Sequence, residues 1–285
     1  MNSGKKIRIH YPGQNRGWGL KVWREMITEL ACSKELLWRL FLRNFKAKYR
    51  QTILGVIWAI VTPLLTIGVF VFLNHAGVIM IGEVHIPYLA YGLLGLTLWH
   101  IFAGGLVACS NAIVADGTIV VKINFPKETL VISSMGETLV EMLIRLGLTI
   151  AVFVSYKVIP AWTAVFLPLT LVPLLLLTVG LGLMLSLLNV VLRDVSNIVS
   201  LSTTFLLFVT PVLYPEPNIK FFKLFTAFNP LAALISGPRD LVVKGFMTQP
   251  VSYAVYSGLS LIIFLISWRL FHLTETRIAE RVGAR

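Results

Sequence analysis

Six predominantly apolar stretches, five of them longer than twenty residues, decide what this chain can fold into. They cover 53–73, 87–114, 131–156, 164–192, 198–213 and 251–271. About twenty apolar residues cross the hydrocarbon of a bilayer as a helix. Backbone in hydrocarbon must satisfy its own hydrogen bonds, which leaves helices or closed barrels. These runs are continuous rather than alternating, so they exclude a barrel. The expected fold is an all-α membrane protein with six transmembrane helices. The fifth stretch is short by itself, and is expected to start within the 193–197 turn or to continue beyond Pro211. Composition agrees: 56% of residues are hydrophobic and 13% charged, about half the charged share of a soluble domain.

Charge sets the orientation. With the N-terminus inside, the segments on the inner side hold 18 Lys and Arg and those on the outer side hold 5. Inner loops carry the excess of basic residues, so both termini are expected in the cytoplasm. The net charge of +12 is then read as topology rather than affinity for nucleic acid. About 50 largely polar and basic residues precede the first stretch, which is not a cleavable signal peptide pattern. The division expected is a cytoplasmic N-terminal segment (1–52), a six-span body (53–271) and a cytoplasmic tail (272–285). Cys32 and Cys109 are read as structural and unpaired.

Residues 36–50 carry a helical pattern of their own. Trp38, Phe41, Leu42, Phe45 and Tyr49 share one face, with Arg39, Arg43, Lys46 and Arg50 on its flank and Lys48 on the other. That predicts an amphipathic helix lying in the membrane interface, rings in the acyl boundary and basic heads on phosphates. The plainer reading is a basic anchor that fixes the orientation of the first span.

The inner segment 116–128 contains Lys122-Ile123-Asn124-Phe125-Pro126-Lys127. It is either a turn with Pro126 starting the next helix or a knob offering Phe125, exposed beside lysines, to a partner pocket. In the fifth stretch Asn197, Ser200 and Thr204 form a polar stripe that continues to Phe208. It suits either sugar passage or helix packing through small polar residues. Glu137, Glu141 and Arg145 follow at i, i+4 and i+8 in the third stretch. Charges at that depth need partners, and an ion pair between Glu141 and Arg145 is preferred to a proton relay. Between 214 and 250, prolines break an apolar segment that includes Phe221, Phe222 and Phe225. It reads either as a re-entrant hairpin or as a surface loop with an interfacial helix.

No G-x-x-x-x-G-K-[ST] loop is present, and the glycine-rich run from Gly13 to Lys21 has the wrong spacing. The five histidines are scattered, so no metal site or cofactor is expected in this chain.

The run from Lys34 to Pro63, through Trp38-Arg39, Lys46-Ala47-Lys48-Tyr49-Arg50 and Trp58, resembles the opening of the type-2 ABC transporter permeases that export polysaccharides. Lys122-Ile123-Asn124-Phe125-Pro126, Arg193-Asp194-Val195, Thr210-Pro211-Val212-Leu213-Tyr214-Pro215 and Asn229-Pro230-Leu231 resemble later signatures of the same family, in order. The resemblance covers about 20–275, and its nearest branch exports O-antigen, capsule or teichoic acid. It implies a homodimer in the cytoplasmic (inner) membrane of a bacterium, with two copies of a separate ATPase that binds ATP and magnesium. It further implies a channel for a lipid-linked polysaccharide. Carried onto this sequence, 36–50 is a cytoplasmic gate helix and 117–127 an ATPase-coupling loop. The segment 215–244, with Asn229 and Pro230, forms outer re-entrant helices. Trp58 and Tyr214 join the stripe of the fifth span as channel lining. The gate helix is then expected to receive an anionic headgroup on Arg39 and Arg43. A permease for a small drug or lipid, and a membrane-embedded glycan-processing enzyme, are the rival readings.

Overall fold

The computed structural model describes residues 19–50, 55–76, 86–215 and 228–283, with the single positions 82, 84 and 226. All regular elements among them are helical. In chain order they are α1 (Leu20–Cys32), α2 (Lys34–Arg50), α3 (Trp58–His75), α4 (Tyr88–Ala115), α5 (Gly117–Lys122), α6 (Glu128–Ser155), α7 (Leu167–Val191), α8 (Asp194–Val209), α9 (Pro230–Val243) and α10 (Pro250–Gly283). A 3-10 turn, Trp162–Phe166, leads into α7.

Five helical units are long and apolar enough to cross a membrane by length and composition: α3, α4, α6, the 162–191 unit and α10. Their bounds lie within about five residues of the corresponding sequence stretches, except that α10 runs on to Gly283. The fifth stretch becomes α8, which begins at Asp194 as expected but has only 16 residues.

α4 is the centre of the bundle. Residues Ala90–Trp99 are all buried, and the helix packs between α6 and α7, while α7 packs on α10. Close approach depends on small residues, as membrane helices generally require. A Cβ on Gly182 of α7 would sit 2.4 Å from the Cβ of Cys109 on α4. One on Gly180 would sit 2.9 Å from the Phe264 backbone of α10. Asn189 bolts α7 to α4, donating to the Ser110 carbonyl and to Asn111 Oδ1 at 3.0 Å each.

The outer helices differ in character. The most apolar window of α4 is 72% buried, whereas those of α3 and α10 are 17% and 11% buried. A chain that leaves such surfaces apolar meets lipid or another apolar face there. Cys109 is buried and Cys32 exposed, and the two form no disulfide with each other.

Candidate functional site

Polar chemistry gathers where α2 meets α6. Lys48 Nζ lies 2.6 Å from Glu141 Oε1. The Tyr49 hydroxyl donates to the same oxygen at 2.9 Å, and His100 Nε2 of α4 lies 2.8 Å from Oε2. Burial, and then the hydrogen bond to the Glu141 carboxylate, push the Tyr49 hydroxyl well above its ordinary pKa, so it stays a donor. Glu141 is thirteen residues into α6, about 20 Å along its axis.

The expected Glu141–Arg145 ion pair is corrected. Both Glu141 oxygens are engaged by α2 and α4, and no ion pair within 4 Å joins Glu141 to Arg145. The i, i+4 pattern brings the two onto one helix face, but a carboxylate has only two oxygens, and groups distant in sequence reach them. Arg145 instead lines a cavity of about 260 Å³ with Lys48, Tyr49, Trp58, Thr62 and Glu141.

The apolar face of α2 meets the protein only along one edge, through Phe41 and Tyr49. Trp38 is 57% exposed, and its ring starts a ladder through Phe41, Phe45 and Tyr49 with centroid steps of 5.3, 5.9 and 5.1 Å. The most buried side chain of the helix is Leu40. Together with Phe41 on Gly136, half-buried Asn44 and Lys48 on Glu141, it defines a face roughly a quarter-turn from the centre of the aromatic stripe. A wheel that scores hydrophobicity alone cannot find this face, because half of its bonds are polar. Between Phe41 and Tyr49 the helix advances about 12 Å along itself and about 7.5 Å along α6. It therefore climbs obliquely along α6 and is held there by protein contacts.

The basic flank is largely committed. Arg39 pairs with Glu35 at 2.7 Å, both side chains exposed. Arg43 bonds Asp116 at 2.5 Å and Asn44 at 2.6 Å. Among the described side chains of that flank, Lys46 alone is exposed with no ion pair; the side chain of Arg50 lies outside the described residues.

The 116–128 loop corrects a second expectation. Phe125 is 4% exposed and belongs to the main core, not the surface. The Lys127 ammonium sits 4.0 Å above its ring and donates to the Ile123 carbonyl at 2.9 Å. Glu128, also buried, meets His272 Nδ1 of α10 at 3.0 Å. Pro126 is buried too. What the loop presents outward is Val121, Lys122, Ile123 and Asn124. An aromatic ring between two lysines suggested exposure; the cation–π contact folds one lysine over the ring instead.

On α8, Val195, Val199 and Thr203 are buried, and the helix packs on α4. Asn197, Ser200, Thr204 and Phe208 all lie on the exposed side, as does Trp58; Tyr214 is half-buried. The stripe is thus on the outside of the chain, and any passage it lines lies between this chain and another surface. Phe221, Phe222 and Phe225 lie outside the described residues. Asn229 caps α9 through Leu231 N at 3.0 Å, with Pro230 as the first helical residue. α9 is buried along most of its length, and its Arg239 donates to the Pro211 and Val212 carbonyls at 3.0 Å. That guanidinium closes the end of α8, where Pro211 stops the ladder.

The model of the ABC-2 type transporter family matches residues 35–243. The chain belongs to this family. It is similar to the O-antigen export system permease proteins RfbA of Klebsiella pneumoniae (26% identical, over 84% of this chain and 91% of the relative) and Myxococcus xanthus (26%, over 90% and 99%). It is also similar to the polysialic acid transport protein KpsM of Escherichia coli (23%, over 83% and 92%). The ABC-2 match takes in α2, the 116–128 loop, α8 and α9 together, while α10 with His272 lies beyond it. Lys48 and His100 are the site residues that sequence reasoning left unassigned. The available signal was the position of His100, midway along an apolar span, where an ionisable side chain needs a reason.

Proposed function

We propose that this ABC-2 type chain is the membrane half of an exporter that moves a lipid-linked polysaccharide, of the O-antigen or capsular kind, across the bacterial inner membrane. It works as a homodimer with two copies of a separate ATPase, which binds ATP and magnesium. The observation that carries this reading is similarity over nearly the full length of relatives named for export of O-antigen and of polysialic acid. The absence of a phosphate loop from the sequence supports a separate ATPase.

In this reading both termini are cytoplasmic, and α8 is the fifth of six crossings. It is about 24 Å long, which suits a helix continued by the Pro211 turn and α9 rather than one bathed in lipid. The coupling surface is the exposed Val121–Asn124, backed by Phe125, Pro126 and Lys127. The outward stripe of α8, with Trp58, faces its counterpart across the dimer to line the passage.

A strain lacking this chain should retain lipid-linked polysaccharide on the inner leaflet and lose it from the surface. Restoration should need this chain and the ATPase together. Normal surface polysaccharide in the deletion strain would refute the reading.

A further inference from the structure

We infer that the cavity between α2, α3 and α6 is a binding site for a phosphate or pyrophosphate group, with Arg145 and Lys48 as its two cationic ligands. The cavity holds about 260 Å³ and is lined by Lys48, Tyr49, Trp58, Thr62, Glu141 and Arg145. Two cations and one carboxylate face it. That carboxylate is already shared among Lys48, Tyr49 and His100. Arg145 is left without an ion pair, and its Nε is buried with no hydrogen-bond partner. A guanidinium held at such depth is unfavourable unless something pairs with it. Its planar fork matches phosphate oxygens. Lys48, half exposed, can turn from Glu141 to the same anion, and the Tyr49 hydroxyl, held protonated, can donate beside it.

The arginines of the outer flank offer less. Arg39 is paired with Glu35 and Arg43 with Asp116, so an anion there must displace a carboxylate. The cavity wall formed by Trp58, Ala59 and Thr62 belongs to α3, which buries little of itself in the bundle. A lipid chain can lie along that helix while its headgroup enters. The lipid source rests on the export reading; the anion site does not.

The test uses the full chain in phosphatidylcholine nanodiscs, titrated with farnesyl pyrophosphate, inorganic pyrophosphate and farnesol. The wild type should bind a pyrophosphate and not farnesol. Tighter binding of the farnesyl compound assigns a lipid headgroup, and equal binding of the inorganic ion assigns a free anion. Arg145→Gln should weaken binding about tenfold or more, with Arg145→Lys recovering part. Thr62→Phe, which fills the cavity and leaves both cations in place, should also weaken it. Arg39→Gln combined with Arg43→Gln should stay within about twofold, since neither residue lines the cavity. The inference is overturned if the wild type binds neither pyrophosphate, if Arg145→Gln and Thr62→Phe bind normally, or if the outer pair loses more than Arg145. Should surface polysaccharide persist without the chain while Arg145-dependent binding remains, the export reading fails and the site stands.

Discussion

Lys48, two residues from the end of α2, sits 2.6 Å from Glu141 in the middle of α6, ninety-three positions later in the chain. With Tyr49 and His100 on the same carboxylate, this joins α2, α4 and α6 at one point. Glu141→Gln should therefore destabilise the chain by about 1–3 kcal/mol, less than a fully buried pair because Lys48 is half exposed. Thermal unfolding in detergent should show a lowered midpoint for Glu141→Gln. The double variant with Lys48→Met should recover part of the loss, since it removes the stranded ammonium. A Glu141→Gln midpoint equal to wild type would mean that the knot contributes nothing.

The buried Phe125 separates two kinds of failure at the 116–128 loop. Phe125→Ala deletes a ring packed in the core and should cost about 3–5 kcal/mol of stability, with partner loss only as a consequence. Ile123→Asp alters an exposed side chain and should lower co-purification of the ATPase while leaving the unfolding midpoint unchanged. If Ile123→Asp leaves the complex intact and a folded Phe125→Ala does not, the docking surface lies elsewhere.

How much of this was legible in the sequence depends on the kind of interaction. Helices α3, α4, α6, α7, α8 and α10 follow from hydrophobicity, because lipid imposes helix on any long apolar run; the short α5 does not, since its segment reads as a turn or a knob. The polar stripe of α8 was legible for the same reason: its period is local. What escaped was the partner of each polar group. The i, i+4 spacing points Glu141 at Arg145, whereas its partners are Lys48, Tyr49 and His100; nothing local encodes contacts between α2, α4 and α6. Phe125 failed differently. Its composition suits exposure, and only the fold of the loop brings Lys127 over the ring.

Topology can be read with cysteines. Ile159, 89% exposed between α6 and the 3-10 turn before α7, and Lys122, exposed at the end of α5, lie at opposite ends of α6. In a cysteine-free background, an impermeant maleimide should label Ile159→Cys on intact cells and Lys122→Cys only after permeabilisation. Native Cys32, exposed on α1, should behave like Lys122→Cys. Labelling of Cys32 from outside would reverse the orientation.

The outward face of α8 makes the last prediction. Ile198, Leu201, Phe205 and Phe208 are each more than half exposed, and Asn197, Ser200 and Thr204 share the exposed side with them. A helix of about 24 Å is shorter than the roughly 30 Å of hydrocarbon. Thr204 returns its proton to the Ser200 carbonyl at 2.9 Å, but Asn197 carries an amide that hydrocarbon cannot satisfy. A second copy, or water between two copies, suits this mixture better than lipid does. Oxidation of Thr204→Cys in membranes should therefore give a disulfide-linked dimer. Leu169→Cys, 69% exposed on α7, should stay monomeric, because that surface is apolar without a polar stripe. Dimer from Leu169→Cys and none from Thr204→Cys would place the second copy on the opposite side, and the α8 stripe would then be a lipid-facing surface rather than the wall of a passage.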